Sequence, residues 1–264
     1  KLIIAGIITE RINPRYESMF AVGVDEMSWD DLDETHYDWP SVAEAQDFRR
    51  QVRNVVDAVI TALPLALPIT WSSPAWAILM GIEHARIHLE TSSVLIRQLP
   101  LEHLQLHPLW PICQEWGEAP ANGLLPVPGG PVRLGKDRNH PLYGWDNEFG
   151  RFEEEVTGFA ASRYLVSNGE YLAFVADHGY QEQRWWTKEG WNWRQYRRAD
   201  HPIFWIREGE RWWLRTMVER IAMPWNWPVE VNYLEAKAFC NWLGETTGKQ
   251  LRLPTEAEYY RLHQ

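Results

Sequence analysis

Two histidines, His84 and His88, stand four residues apart in a stretch that has the pattern of a helix. At 3.6 residues per turn, side chains at this spacing project from one face of a helix, about 40° apart. The same face carries small or apolar residues that leave room beside the imidazoles: Ala77, Gly81, Thr91 and Leu95. Two inward imidazoles supply half of a divalent-metal site. The spacing therefore predicts metal binding by both histidines, and two hydrogen-bonded core histidines are the alternative.

The charged residues of this stretch are expected on the opposite face of the helix. Glu90 lies about 200° around the helix from His88, so we expect it to face water and not to bind the metal. The residue after the first histidine is Ala85, so the string is not the H-E-x-x-H motif of zinc proteases. Four side chains are predicted to form a solvent-facing ladder of ion pairs: Glu83, Arg86, Glu90 and Arg97.

Two long helices joined by a Pro-rich link are predicted to position the histidines. The first covers residues 41–63 and begins with a capping box of Ser41 and Glu44. The second covers residues 74–99, with Ser73 as its N-cap and a proline at its first position. Such a pair is typical of a helical bundle, in which side chains that face the interior build the site.

The composition changes along the chain, which predicts two domains and an α+β fold. Residues 1–115 form the helical metal-binding domain, residues 116–130 are a Gly- and Pro-rich linker, and residues 131–264 form an irregular mixed domain. Short strands are expected in the mixed domain at residues 131–134, 204–206 and 212–214. Capping boxes predict its helices: Ser167 with Glu170, Asn232 with Glu235, and Thr255 with Glu258.

The overall composition restricts the class of protein. The 264-residue chain has 26 Lys and Arg against 36 Asp and Glu, and this acidic balance argues against a general nucleic-acid binder. Two cysteines form no disulfide framework, and no apolar run approaches the ~20 residues of a membrane span. A cytoplasmic enzyme with no membrane contact is therefore expected. The 17 tryptophans are predicted to fill the core of the irregular domain, and a base- or sugar-stacking surface is the alternative.

Several other residues invite a chemical interpretation. Cys240 has core spacing on a capped helix, which predicts a buried structural thiol, and Gly244 is expected to end that helix. The run 146–148 (Asp-Asn-Glu) either binds calcium or organises a loop through bonds to the backbone. His103 and His107 follow a proline in a Leu-rich stretch and are expected at the surface or in a second layer.

Several strings of the sequence, taken together, resemble one family. GIEHARIHLETSSVLIRQLP (Gly81–Pro100) resembles the metal-binding helix of DinB-like domains in the sulfoxide synthases of thiohistidine biosynthesis. ERINPRYESMFAVGVDEMSWDDL (Glu10–Leu32) and HYDWPSV (His36–Val42) are similar to the ovothiol-pathway members, the 5-histidylcysteine sulfoxide synthases. Four later strings resemble the formylglycine-generating-enzyme-like domain that is fused to the DinB-like domain in these proteins: YGWDNEFG, LVSNGEYLAFV, MPWNWPVEVNYLEAKAFCNWLG and LRLPTEAE. The resemblance implies a partial DinB-like bundle followed by an irregular C-type-lectin-like domain, truncated at both ends.

The resemblance also implies a site. Three histidines hold iron in this family, and the H-x-x-x-H pair maps onto His84 and His88. The third histidine is expected before Lys1, and His36, in a polar stretch, is not taken as a ligand. The catalytic tyrosine is expected beyond Gln264, so no catalytic residue is assigned.

The implied reaction is an Fe(2+)- and O2-dependent coupling of cysteine to the imidazole ring of histidine, which leaves a sulfoxide. Arginines of residues 184–220 are candidate clamps for the substrate carboxylates, and a methyltransferase domain is expected further along the parent protein. Three alternatives remain: the ergothioneine-pathway synthase acting on trimethylhistidine, a DinB-type thiol transferase, and a non-catalytic ligand-binding module.

Overall fold

The computed structural model of the chain describes residues 2–20 and 38–264. The chain forms two compact units. The N-terminal unit comprises Lys1–Ile87 and Asp137–Phe149, and the C-terminal unit comprises His88–Lys136 and Gly150–Gln264. Both helices and strands are present, which confirms the α+β class. The likeness of the N-terminal helices to a DinB-like bundle stays a prediction.

Helices dominate the N-terminal unit. These are α1 (Pro14–Met19), α2 (Val42–Ala62) and α3 (Ala75–Ile96), whose last nine residues belong to the C-terminal unit. The predicted capping box of α2 is confirmed: the Ser41 hydroxyl accepts from the Glu44 amide, and the Glu44 carboxylate accepts from the Ser41 amide at 2.8 Å.

Both predicted long helices are present, but α3 differs from its prediction at each end. The Ser73 hydroxyl accepts from the amide of Thr70, and it is the Ser73 carbonyl that accepts from Trp76. At the other end α3 stops at Ile96, because the chain tightens into i to i−3 hydrogen bonds from Gln98 and Leu99.

The N-terminal unit buries little of its apolar surface. No residue of α2 is buried, and α3 buries only Ala75 and Trp76. The Trp76 ring stacks on Trp71 at 4.9 Å between centroids and also contacts Tyr143. The Trp71 indole donates to the carbonyl of Arg138, so the turn before α3 is fastened to the later segment of the same unit.

Antiparallel strand pairs form the β structure of the C-terminal unit. Strand β1 (Leu124–Val127) pairs with β4 (Phe159–Ser162), and β2 (Gly130–Leu134) pairs with β3 (Phe152–Val156). The predicted strand at 131–134 is confirmed. The linker prediction for residues 116–130 is wrong over β1, because Leu124 to Val127 pair in register with Ser162 to Phe159.

The other strands form a three-stranded sheet in the order β5, β6, β7. Its members are β5 (Trp205–Glu208), β6 (Arg211–Arg215) and β7 (Arg220–Ala222), all antiparallel. Both strands predicted for this region are confirmed, with their bounds shifted by one to two residues. Trp205, Leu214 and Ile221 of this sheet are buried in the hydrophobic core of the unit.

The helices of the C-terminal unit are α4 (Asn168–Ala176), α5 (Lys188–Arg197), α6 (Tyr233–Thr247) and α7 (Glu256–Arg261). The three predicted capping boxes are all present. The predicted end of α6 at Gly244 is wrong: Gly248 ends the helix with φ of 66°. A Cβ atom at Gly244 would lie 2.8 Å from the carbonyl oxygen of Lys249, so close packing requires glycine there.

Aromatic residues fill the core of the C-terminal unit. Tyr171, Phe174 and Tyr180 are almost completely inaccessible to solvent. Four tryptophans are buried with them: Trp185, Trp186, Trp205 and Trp242. The prediction that tryptophans fill the core of an irregular domain is therefore confirmed. Among the described residues, no helix is long and apolar enough to cross a membrane.

Candidate metal-binding site

The two predicted metal ligands lie on successive turns of α3. His84 is half-buried and His88 is exposed, as are Gly81, Thr91 and Leu95 on the same face. The expectation that this stripe is buried is therefore wrong over the part of the chain that the structure describes. The amphipathic pattern shows which face of the helix can be covered, but it does not supply the segment that covers it.

A complete metal site needs more ligands than this pair provides. Within residues 2–20 and 38–264, no group of three or more His, Cys, Asp or Glu side chains could hold a metal ion. His36 lies outside the described residues. The donor type fits ferrous iron, because imidazole is a suitable ligand for it. Metal binding by His84 and His88 stays a prediction.

The predicted charged ladder on α3 forms only in its first part. The Arg86 guanidinium pairs with Glu83 at 2.7 Å on the exposed surface. Arg97 does not join them, since it forms its ion pair with Glu230 in the C-terminal unit.

The acidic run at residues 146–148 forms a short 3-10 turn. The amide of Asn147 lies 3.0 Å from a carboxylate oxygen of Asp146, and the Glu148 amide donates to the carbonyl of Trp145. These contacts favour the loop-organising interpretation over calcium binding. The pKa of the nearby Tyr143 is raised, first by burial and then by the negative charges of Glu148, Glu83 and Asp146.

Cys240 is only half-buried, and burial raises the pKa of its thiol. This favours the predicted structural role, because a nucleophilic cysteine needs a lowered pKa. His103 and His107, the second pair at the same spacing, are both exposed, in agreement with their predicted surface position. Their environment offers a matched control for the pair on α3.

A buried polar network lies beside Cys240 in the aromatic core. The Tyr180 hydroxyl donates to the Glu235 carboxylate at 2.5 Å, and the Tyr171 and Tyr180 oxygens are 3.3 Å apart. Burial raises the pKa of Glu235, although the Tyr180 bond opposes this. Burial also raises the pKa values of both tyrosines far above their usual range. All three groups are held inside the fold, and this arrangement supports a structural role.

A cavity of about 390 Å³ opens in the C-terminal unit beside the last turn of α3. The buried amide of Asn168 contributes to its wall and donates to the carbonyl of Pro224 at 2.9 Å. In the described part of the chain, the Oδ1 atom of Asn168 has no hydrogen-bond partner. The other lining residues are mostly apolar or aromatic: Ser93, Val94, Arg97, Phe204, Leu214, Thr216, Met217, Trp227, Pro228 and Glu230.

Sequence reasoning missed this cavity, because its walls come from distant segments. Arg97 forms hydrogen bonds with Arg215 and Glu230, which are more than a hundred positions away in the sequence. Local spacing of residue types cannot predict such contacts. Four of the eight arginines of residues 184–220 lie over tryptophan rings: Arg184, Arg194, Arg207 and Arg220. Their role as carboxylate clamps stays a prediction.

The fold and the sequence of the C-terminal unit define a class of protein. An irregular α/β unit with small antiparallel sheets surrounds an aromatic core. The family model of the sulfatase-modifying factor enzyme 1-like domain matches residues 114–261, which is more than half of the chain. The chain belongs to this family.

Three curated relatives share sequence with about half of the chain. Over 134 residues the chain is 36% identical to hercynine oxygenase of Mycolicibacterium smegmatis, covering 50% of the chain and 29% of the relative. It is 36% identical over 131 residues to hercynine oxygenase of Mycolicibacterium thermoresistibile, covering 49% of the chain and 27% of the relative. The protein of the same name from Mycobacterium tuberculosis is 38% identical over 128 residues, or 48% of the chain and 28% of the relative. The matched segments span less than a third of each relative.

Proposed function

We propose that the protein containing this chain is a non-heme iron(II)- and O2-dependent sulfoxide synthase that joins a thiol to the imidazole ring of a histidine derivative. The observation that carries this proposal is the identity of 36–38% to three hercynine oxygenases. The pair His84 and His88 on one helix supports it independently, because imidazoles at this spacing suit a divalent metal.

The overall reaction balances without an external reductant. A thiol, an imidazole C–H group and one O2 give a carbon–sulfur bond, a sulfoxide and one water. The S–H and C–H bonds break, and their two hydrogens leave in the water. The four electrons that reduce O2 come equally from forming the carbon–sulfur bond and from oxidising sulfur to the sulfoxide.

The residues of α3 would hold the iron through His84 and His88, with at least one further ligand from outside the described residues. Ferrous iron supplies the redox chemistry that lets dioxygen react with a thiolate. The helix contributes rigidity, because its backbone hydrogen bonds keep the two imidazoles at a fixed separation along the axis. Both must be neutral to donate a lone pair to the metal.

The names of the relatives favour hercynine, the trimethylated form of histidine, as the acceptor. Histidine itself is the second candidate, with cysteine as the thiol. The sequence string Glu10–Leu32 favours it through its resemblance to the ovothiol branch, but residues 21–32 of this string lie outside the described residues. A competition between equal amounts of hercynine and histidine, with cysteine as thiol, decides between the branches by the mass of the product.

Replacement of the histidines tests the iron assignment. In the full-length protein, we expect His84→Ala and His88→Ala each to lose bound iron and sulfoxide product together. His103→Ala is the matched control, because it removes an exposed imidazole from another i, i+4 pair and should keep both. Bound iron is measured by elemental analysis, and product by mass spectrometry. Product formed at an undiminished rate by His84→Ala would show that the chemistry lies elsewhere.

A further inference from the structure

Two arginines make reciprocal bonds at the end of α3. Arg97 donates to the carbonyl of Arg215 through Nε at 2.9 Å and through Nη2 at 2.6 Å. Arg215 in turn donates from Nη2 to the carbonyl of Leu99 at 2.7 Å. Each guanidinium thus binds the backbone of the other's segment. We call this pair of interactions the arginine clasp.

Further contacts fix the Arg97 side chain in one orientation. Its guanidinium lies over the Phe204 ring at 3.6 Å from the centroid, and it forms an ion pair with Glu230. The side chain is only 15% exposed. A planar guanidinium that stacks and binds a carbonyl through two donors is held more rigidly than a lysine ammonium would be.

The sheet side of the clasp is equally well anchored. The Arg215 amide donates to the carbonyl of Phe204 at 2.8 Å. In the antiparallel register of β6 and β7, Arg215 lies opposite Arg220. The Arg215 guanidinium lies close to a second positive charge, and both burial and Arg97 lower its pKa. Two like charges are tolerated here because carbonyl oxygens and Glu230 surround them.

The clasp acts on the helix that carries the proposed ligands. Arg97 follows directly after Ile96, the last residue of α3. His88 lies eight residues before Ile96, about 12 Å along the helix axis. A helix transmits a displacement of its end over this distance. Because a misplacement of about 1 Å can reduce a rate about 100-fold, an anchor at the helix end bears on the reaction.

We propose that the arginine clasp is a positioning device that fixes the His88 end of α3 against the β5–β6–β7 sheet for catalysis. The proposal rests on the proposed function. Arg97 and Arg215 are positioning residues, since neither is placed at the reacting atoms. Hydrogen bonding by the guanidinium fork, and not the positive charge alone, is the feature that positions the helix.

Three variants of the full-length protein test this. Arg97→Ala removes the clasp, Arg97→Lys keeps the charge beside Glu230 but loses the fork, and Glu230→Gln keeps the fork but loses the ion pair. We expect kcat per bound iron to fall about 10- to 100-fold in the first two and less than about 3-fold in the third. Arg86→Ala, which breaks an exposed ion pair on the same helix, should leave kcat unchanged.

Two further readouts separate positioning from a general loss of stability. Iron content and KM should change less than about 3-fold in Arg97→Ala, measured well below its unfolding temperature. Amide hydrogen exchange of residues 88–99 should be faster than in the wild type, because the helix end is released. Unchanged exchange, or unchanged kcat per bound iron in Arg97→Ala, overturns the proposal. A wild-type protein that forms no sulfoxide would overturn the proposed function, whereas an active wild type with unchanged kcat in Arg97→Ala would overturn the clasp alone, so the two failures are distinguishable.

Discussion

The two units contain helices with the same kind of capping box, but these helices bury their apolar residues to different extents. In the N-terminal unit, α2 has a complete capping box and an apolar stripe but buries none of its residues. In the C-terminal unit, α4 has the same kind of capping box and buries Tyr171 and Phe174 in an aromatic core. Capping signals therefore determine where a helix begins, whereas its tertiary stabilisation depends on what covers its apolar face.

The largest difference is expected for apolar truncations in the two units. Phe174→Ala should destabilise the protein by about 3–5 kcal/mol, because a completely buried ring leaves a cavity. Ile60→Ala on α2 should cost under about 0.5 kcal/mol, because the side chain is about half exposed. Denaturant unfolding followed by tryptophan fluorescence measures both. Equal losses would contradict the comparison and would indicate a cover over α2.

Matched substitutions of the two capping serines are expected to have smaller effects on stability than the truncation of Phe174. Ser41 and Ser167 each bind the amide of a glutamate three residues later. Ser167→Ala should cost about 1–2 kcal/mol and Ser41→Ala about 0.5–1 kcal/mol, because only Ser167 is buried. The measured quantity is again the free energy of unfolding, with Ser41→Thr and Ser167→Thr as variants that keep the capping hydroxyl. A larger loss at Ser41 would reverse the expected order.

The smallest effect concerns the pH dependence of two capping glutamates. Bonds from the Ser41 side chain and backbone lower the pKa of the exposed Glu44, whereas burial raises the pKa of Glu235. A lowered pKa in the folded state gives stability that is lost as pH falls below 4.5, the usual value for glutamate. A raised pKa has the opposite sign: stability falls as pH rises from 4.5 toward the folded-state pKa.

Glutamine variants isolate these two contributions. Relative to the wild type, Glu44→Gln should lose its destabilising effect as pH falls below 4.5. Glu235→Gln should gain relative stability as pH rises above 4.5, since it removes a buried charge. Urea unfolding across the acidic range measures both slopes. Slopes of the same sign would refute the assignment of opposite environments.

Local signals explain which parts of the fold are predictable from sequence. The capping boxes at Ser41, Ser167 and Thr255 each involve four consecutive residues, so sequence alone locates them. The Gly and Pro residues around strand β1 predict a linker, and the strand itself depends on pairing with β4. Propensity describes a segment in isolation, and a strand forms only with its partner.

The candidate site also has some features that the sequence predicts and others that it does not. The spacing of His84 and His88 is readable because a helix has a fixed period, and both do lie on α3. The sequence alone does not predict the exposure of His88 or the hydrogen-bond partners of Arg97, since both depend on segments far away in the sequence. Spacing therefore identifies a candidate ligand pair, and three-dimensional contacts identify what holds the helix that carries it.

We propose that the protein containing this chain inserts oxygen from O2 into a new thiol–imidazole product. The most direct test is to supply the full-length protein with ferrous iron, cysteine, hercynine or histidine, and dioxygen labelled with the heavy oxygen isotope. We expect a coupled sulfoxide that carries a single labelled oxygen atom, with the other labelled atom in water. An unlabelled sulfoxide, or oxygen consumption without a carbon–sulfur product, would contradict it.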